Sequence, residues 1–547
     1  VGGYRYDDPA DRVIPSWTSA VGRAGARIVG GPWGVHARAG GQRFWTPMRV
    51  LFLLGTITLT LAWIKERPCA LDPWTHGTQY THLCYSDTIP LRGIEGIADG
   101  AVPYFSMDPS LLPGDAAYSF GRVEYPVLSG FFMWAANAVS APVQSLMHLV
   151  HGSGVNGWAG YFAVTCLLLS LCYLAVIYFS ARTAGRRVWD GAIIAAAPIV
   201  VVHAFTNWDL FAMAFLAAAM FAWSRERTVW CGVLLGLGMA AKLYPILMLG
   251  ALLVLAVRTA RWRGFANATL GAVVAWSAVN VPVMLGAWAG WKVFLDLNQE
   301  RGSDYASLWQ VVERAVSSKA QFEFENLIPV PTLNFWVFVA MAIGCLGIAY
   351  VALAAPRRPR VAQLVFLIVA VFLLTNKVWS SQYSLWLLPL AALAVPSWRL
   401  IVGWQLAETM VWICVMNWFV QRDIYYANQT LPQGKDPALL SGVDYHWVAL
   451  FVLIRCGFVI AMMAVVVRDI WYPERDRVRS VGQDDPSGGV FDRAPDRFTL
   501  RPPRPRGSGR TRRSDRPRRP GGLLRRRGSG GSPDRTAAET GPEVAVG

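Results

Sequence analysis

The sequence predicts an all-α polytopic membrane protein, a bundle of about twelve transmembrane helices with one large loop after the first. Three observations predict it. Hydrophobic residues make up 54% of the 547 and charged residues only 16%, too apolar a balance for a water-soluble chain of this size. Apolar segments recur along residues 48–470 with short polar joints between them. Arginines gather at alternate joints, the charge asymmetry of a chain threaded through a bilayer with its basic loops in the cytoplasm.

The first 47 residues are polar and arginine-bearing and read as a cytoplasmic basic arm. They do not fit a cleavable signal peptide, whose apolar core would begin sooner, so the first span, about 49–64, is expected to remain as an anchor. Further apolar segments fall near 158–181, 190–204, 208–224, 229–241, 244–257, 265–287, 335–355, 361–375, 383–397, 400–419 and 447–468. The clusters Arg182–Arg187, Arg225–Arg227, Arg258–Arg263 and Arg357–Arg360, with the bases from Arg468 onward, belong inside by the same rule. That parity gives twelve passes with both termini cytoplasmic.

One apolar stretch, 124–150, breaks the parity if it crosses. It is expected instead to lie in the outer interface, with Pro126 near its start and Pro142 interrupting it. The first external loop then runs over 65–157, with eight acids against four bases in its polar part. Beyond residue 470 the composition turns to Arg, Pro and Gly, with twelve arginines and one acid between Arg501 and Arg527. Such a segment buries no core, so 471–547 is expected to be a disordered cytoplasmic tail. Membrane lipid is its expected partner, each base near an anionic surface contributing about 1 kcal/mol; no specific nucleic-acid partner is expected.

Several apolar segments fall short of the roughly 20 residues a straight span needs. The joint Lys242-Leu243-Tyr244-Pro245 separates two of them, and the stretches His203–Asp209 and Asn376–Tyr383 interrupt others. Non-helical backbone at membrane depth is tolerated only against protein or a watery cavity, so these breaks are expected to line one. Parity places all three on the side of the external loop, where Asp87 sits just after the first span. Cys69 and Cys84 lie in that loop fifteen residues apart and would form a disulfide in an oxidising compartment. No CxxC or His-rich ligand spacing appears, and no metal or cofactor is expected.

Five stretches, CYSDTIPLRGIEGIADGAVPY, EYPVL, FTNWDLFAMAFL, GLGMAAKLYPILML and NKVWSSQYSLWLLPL, in this order and spacing, resemble the polyprenyl-phosphate-mannose-dependent mannosyltransferases of glycosyltransferase family 87, which have the glycosyltransferase-C fold. The likeness covers about residues 45–470. It implies transfer of a sugar, mannose foremost, from a polyprenyl-phosphate donor to a glycolipid or polysaccharide acceptor of the envelope, at the outer face of the cell membrane and with inversion. Members of that fold use a carboxylate of the first external loop as base, and Asp87 is the matching position. The chemistry stands without the likeness, because an attacking hydroxyl must lose its proton and a departing phosphodiester needs its charge stabilised. Arg92, Lys242 and Lys377 are the candidates for that stabilisation.

Each candidate has an ordinary structural competitor. Asp87 is either the base or a carboxylate capping the next turn. Glu95 is either a pocket residue or the surface partner of Arg92, three positions away. Asp209 is an acceptor ligand and reserve base, or an acid favoured by a helix N-terminus. Lys242 and Lys377 contact phosphate or snorkel to the interface; Gln382 and Tyr383 are weaker sugar or phosphate ligands, and His203 a pocket or interfacial residue. Trp309, Tyr425 and Tyr426 stack on an acceptor or anchor an aromatic belt. A transporter or flippase of lipid-linked sugars is the rival class, disfavoured because no internal repeat is visible. A non-catalytic membrane scaffold is a third class, and within the enzyme class a polyprenyl-phosphate-arabinose donor competes with the mannose one.

Overall fold

The computed structural model describes residues 44–71, 74, 77–111, 118–152, 154–316, 327–430 and 442–500, without the side chains of 425–430 and 481. The basic arm, the arginine-rich tail and the rings of Tyr425 and Tyr426 therefore lie outside the described residues. All regular elements among the described residues are helical. In chain order the α-helices are α1 (Pro47–Leu71), α2 (Thr78–Thr81), α3 (Thr88–Ile94), α4 (Val127–Ala138), α5 (Ala141–His151), α6 (Ala159–Thr183), α7 (Gly191–Ala195), α8 (Pro198–His203), α9 (Asp209–Ser224) and α10 (Thr228–Ala241). They continue with α11 (Met248–Thr259), α12 (Trp262–Gly286), α13 (Trp288–Glu300), α14 (Leu308–Val316), α15 (Val330–Ala354), α16 (Val361–Thr375), α17 (Leu387–Ala394), α18 (Trp398–Thr430) and α19 (Tyr445–Trp471).

Six of these, α1, α6, α12, α15, α18 and α19, are long and apolar enough to cross a membrane. The other six expected segments are helical but shorter, so six rather than twelve reach the length of a straight span. Segment 190–204 divides into α7 and α8 because Pro198 forces Ala197 into an extended conformation (φ −79°, ψ 120°). At the end of α10, Lys242 is likewise extended (φ −158°, ψ 142°), and Pro245 opens a 3₁₀ turn that leads into α11. Stretch 124–150 forms α4 and α5, with Pro126 as the N-cap of the first and Pro142 in the opening turn of the second. Leu285, Phe338 and Leu346 stand 84%, 72% and 71% exposed on α12 and α15, an apolar surface that lipid would cover.

Helix direction divides the bundle into two ends. Helix α1 starts where Leu51 meets Gly191 and finishes where the Cys69 carbonyl accepts the Trp158 indole N–H at 3.2 Å. Helix α6 begins there and runs back to Arg182. At that starting end, residues 473–500 fold across the basic joints. Asp476 pairs with Arg360 at 2.8 Å, Asp484 with Arg357 at 2.9 Å and Asp496 with Arg258 at 2.7 Å. The Trp223 indole donates to the Gly488 carbonyl at 3.0 Å, and the Val361 N–H to Asp485 at 2.9 Å. This corrects the expected start of the disordered tail: residues up to 500 are held by ion pairs and backbone hydrogen bonds, because their acids meet the arginines of the joints.

At the other end a disulfide joins Cys69, in the last turn of α1, to Cys84, three residues ahead of Asp87 (Cα–Cα 5.7 Å). Close packing of α10 on α12 sets the position of Lys242, which follows α10 directly. A Cβ on Gly232 would lie 2.0 Å from the Ala268 carbonyl oxygen, and one on Gly236 would lie 2.3 Å from that of Ala272. Two glycines four apart let the backbones touch, the small-residue contact of membrane helices.

Gly236→Ala is expected to lower the thermal unfolding temperature of the detergent-solubilised protein, since overpacking a tight contact costs about 1–3 kcal/mol. Gly347→Ala on α15, where an added Cβ meets nothing within 4 Å, serves as the control and should leave it unchanged or slightly higher. Equal melting of both variants would refute the close contact.

Candidate functional site

Opposite the basic end, a cavity of about 380 Å³ opens between the loop after α1, two of the three breaks (203–209 and 376–383) and the loop after α13. Its size lies in the range of small-molecule sites, roughly 300–1,000 Å³. Asp87, Gln382 and Tyr383 line it among the residues expected from the sequence. Asn207, Glu124, Tyr125, Arg301 and Asp304 line it as well.

Asp87 is carried to the wall by the disulfide-anchored loop and by its own backbone N–H, which donates to the Thr206 carbonyl at 2.8 Å. It occupies the N-cap of α3, but its side chain makes no capping bond. The carboxylate instead accepts Asn207 Nδ2 at 2.7 Å and Gln382 Nε2 at 3.4 Å. Burial pushes its pKa above the usual carboxylate range, while hydrogen bonds from Asn207 and Tyr85 and the charge of Lys242 oppose that rise. It remains partly open to the cavity, so it is a carboxylate supported from behind and free in front.

Asn207 is the junction. Its Nδ2 reaches Asp87 and also the Tyr125 hydroxyl at 2.6 Å, while its Oδ1 accepts the Trp208 N–H at 2.6 Å and Lys242 Nζ at 3.4 Å. Lys242 pairs with Asp209 Oδ1 at 2.7 Å, and that oxygen also accepts the Trp386 indole N–H at 2.7 Å. Tyr383 and Tyr244 sandwich Trp386 at centroid distances of 4.3 and 4.2 Å, and Lys242 Nζ lies 4.7 Å from the Tyr383 ring. The three breaks thus meet in one network behind Asp87. Lys242 and Asp209, expected from the sequence to meet phosphate and the acceptor, stand in this rear layer and do not line the cavity.

Arg301, one residue beyond α13, lines the same cavity. Burial works against its charge, but Asp304, Tyr383, Tyr125 and Glu124 outweigh that and hold its pKa above the ordinary value. Lys377 does not line the cavity either. It donates to the carbonyls of Gln299 at 3.3 Å and Arg301 at 2.6 Å, and its own carbonyl accepts the Asp304 N–H at 2.8 Å, fixing the loop that presents Arg301. Beneath this loop, Arg455 on α19 pairs with Glu408 on α18 at 3.3 Å and donates to the Ala306 carbonyl. Glu408 in turn accepts Ser384 Oγ at 2.5 Å. A fully buried ion pair therefore ties both cavity-forming loops to the bundle.

The remaining expectations fall outside the cavity. Arg92 donates to Asn137 Oδ1 at 2.8 Å and lies over the Tyr161 ring, and Glu95 is buried, accepting the Glu124 N–H at 3.1 Å; the two do not pair. His203 is enclosed edge-on against Trp412, with Thr206 Oγ1 at 3.4 Å. The Trp309 indole N–H donates to the Thr375 carbonyl at 2.8 Å, a structural tie. Asn207 and Arg301 were missed by sequence reasoning. Asn207 stands inside the 203–209 break, two residues before Asp209, whose charge drew the reading to itself. Arg301 had a topological signal: it is an arginine at the end of the bundle opposite the basic joints.

The family model described as "Glycosyltransferase family 87" matches residues 139–381. The stretch takes in Asn207, Asp209, Lys242, Arg301 and Lys377 and leaves out Asp87, Gln382 and Tyr383. No curated protein matches the chain. Over the matched stretch the chain is similar to a family of glycosyltransferases, and its long apolar helices are those of a membrane protein.

Desolvation pushes Glu95 up to about 8 from an ordinary 4.5, with Glu124 adding to the rise through its charge. A carboxyl raised in the folded state binds its proton more tightly there, so its favourable contribution is complete below about 4.5 and is lost as pH climbs through about 8. Glu95→Gln should therefore match the wild type in thermal unfolding near pH 4.5 and exceed it at pH 8.5. Parallel curves for the two proteins across that window would contradict the burial of an uncompensated carboxyl.

Proposed function

We propose that this chain is a membrane glycosyltransferase that moves a sugar from a polyprenyl-phosphate donor to a hydroxyl of an envelope acceptor, with Asp87 as general base. The observation that carries the reading is the joint placement of Asp87 and Arg301 on the walls of one cavity. Asp87 takes the proton of the acceptor hydroxyl as its oxygen forms the new bond to the anomeric carbon. The bond from that carbon to the phosphate oxygen breaks with its electron pair, and Arg301 stabilises the negative charge on the departing polyprenyl phosphate. Attack from the face opposite the leaving group inverts the anomeric configuration.

The ring-rich wall of Tyr125, Tyr305, Tyr383, Trp412 and Phe419 supplies apolar and aromatic surface for a sugar and the first isoprene unit. The cavity faces outward in this reading, because the basic joints gather at the other end. Mannose is the sugar favoured by the likeness of five sequence stretches to mannosyltransferases.

Purified protein in lipid, given radiolabelled polyprenyl-phosphate mannose and an envelope lipid extract, should transfer label to acceptor. Asp87→Asn is expected to lower kcat by about 10²–10⁴ while donor binding stays within a few-fold. Arg301→Gln should lower kcat/KM for the donor by roughly 10–100-fold, the loss of a charge-assisted hydrogen bond of about 1.5–3 kcal/mol. Full transfer by Asp87→Asn would remove the base from this position; label that crosses the bilayer still on its lipid would identify a transporter.

A further inference from the structure

Resting on the reading of Asp87 as the base, we propose that Lys242 is a positioning residue that acts through Asn207, joining the Trp208 N–H in fixing which end of that side-chain amide faces the Asp87 carboxylate.

An amide presents an acceptor at one end and donors at the other, and the two ends are nearly identical in shape. What faces them decides the orientation. Lys242 Nζ and the Trp208 N–H can only donate, and both converge on Asn207 Oδ1 at 3.4 and 2.6 Å. The NH₂ end is thereby directed to Asp87 Oδ2 at 2.7 Å and to the Tyr125 hydroxyl at 2.6 Å. In the reversed orientation a carbonyl oxygen would sit against the carboxylate, and only the protonated acid would be compatible with it. Lys242 is itself held by Asp209 at 2.7 Å and enclosed by the rings of Tyr383, Trp386 and Tyr125, with Nζ 4.7, 5.6 and 5.7 Å from their centroids. It has little freedom to reach a ligand, being one-tenth exposed. Its second contact is the amide, so beyond the direct effect of its charge on Asp87 its influence on the reaction passes inward through Asn207.

The other groups that face Asp87 are Tyr85 from its own loop, Gln382 and Tyr383 from the 376–386 break, and Glu124, Tyr125, Arg301 and Asp304 around the cavity, with Asp209 behind Lys242. None of these except Tyr125 touches the amide, and the Tyr125 hydroxyl can donate or accept. Lys242 and the Trp208 N–H are thus the groups that break the symmetry of the amide.

The test is the pH profile of kcat for mannosyl transfer from polyprenyl-phosphate mannose by the reconstituted full-length protein. Lys242→Met should move the acidic limb upward by about one pH unit or more, with the donor KM within a few-fold, because the ionised form of Asp87 loses both the nearby positive charge and the amide donor it keeps in place. Lys242→Arg, which keeps a cation at the amide oxygen, should restore the limb and serves as the folded control. Asn207→Ala should raise the limb alone, and Lys242→Met added to it should shift it by less than it does in the wild type, the direct effect of the Lys242 charge on Asp87 remaining while the part carried by the amide is already lost. An unmoved limb in Lys242→Met, or a shift that adds fully to that of Asn207→Ala, would overturn the relay. Transfer undiminished in Asp87→Asn would instead overturn the underlying assignment of the base, which separates the two failures.

Discussion

A carboxylate inside a protein keeps its charge only where donors replace the water it has lost, and the end of the bundle around Asp87 is organised by that requirement. Asn207, Gln382 and Tyr85 supply the donors. Each comes from a different part of the chain, so three segments must be held in register for one side chain to accept all three bonds and stay open on its front face. The disulfide fixes the Tyr85–Asp87 loop to α1, α8 and α9 flank the turn that carries Asn207, and the stacked rings of Tyr244, Trp386 and Tyr383 brace the break that carries Gln382.

The same constraint explains why buried charges occur in layers here. Lys242 with Asp209 lies directly behind Asp87, and Arg455 with Glu408 lies beneath the loops of Arg301 and Ser384. Burying such pairs gains little stability over apolar packing, yet removing one partner leaves an uncompensated charge and is strongly destabilising. Their value lies in geometry: each fixes an irregular stretch of backbone that no helix ladder could hold. At the far end the acids of 473–500 do the corresponding work for the arginines of the joints, with Arg258 and Arg360 almost fully buried.

The helical class and the positions of the apolar segments were legible in composition and hydropathy, since burial in lipid leaves a pattern over many residues. That the breaks need a special setting was legible from Lys242, Pro245 and the Asn376–Tyr383 stretch, because charge and proline inside apolar runs are tolerated only there; that the 242–245 break stands behind the cavity wall and not in it was not. Contacts between side chains far apart in the chain were not. Lys242 and Lys377 read alike as isolated lysines, yet one is paired with Asp209 and the other spends its donors on backbone carbonyls. Asn207 carries no charge and no periodicity, and its role comes wholly from what surrounds it. The ordered stretch 473–500 was hidden by its resemblance in composition to the tail that follows, its acids becoming meaningful only beside Arg258, Arg357 and Arg360.

The most direct test is an experimental structure of the protein in lipid with a non-transferable polyprenyl-phosphate sugar bound. The phosphate should lie within hydrogen-bond distance of the Arg301 guanidinium, with the anomeric carbon turned toward the side of the cavity formed by Asp87 and Asn207. A phosphate seated among the arginines of the basic end, with Arg301 unoccupied, would contradict the account.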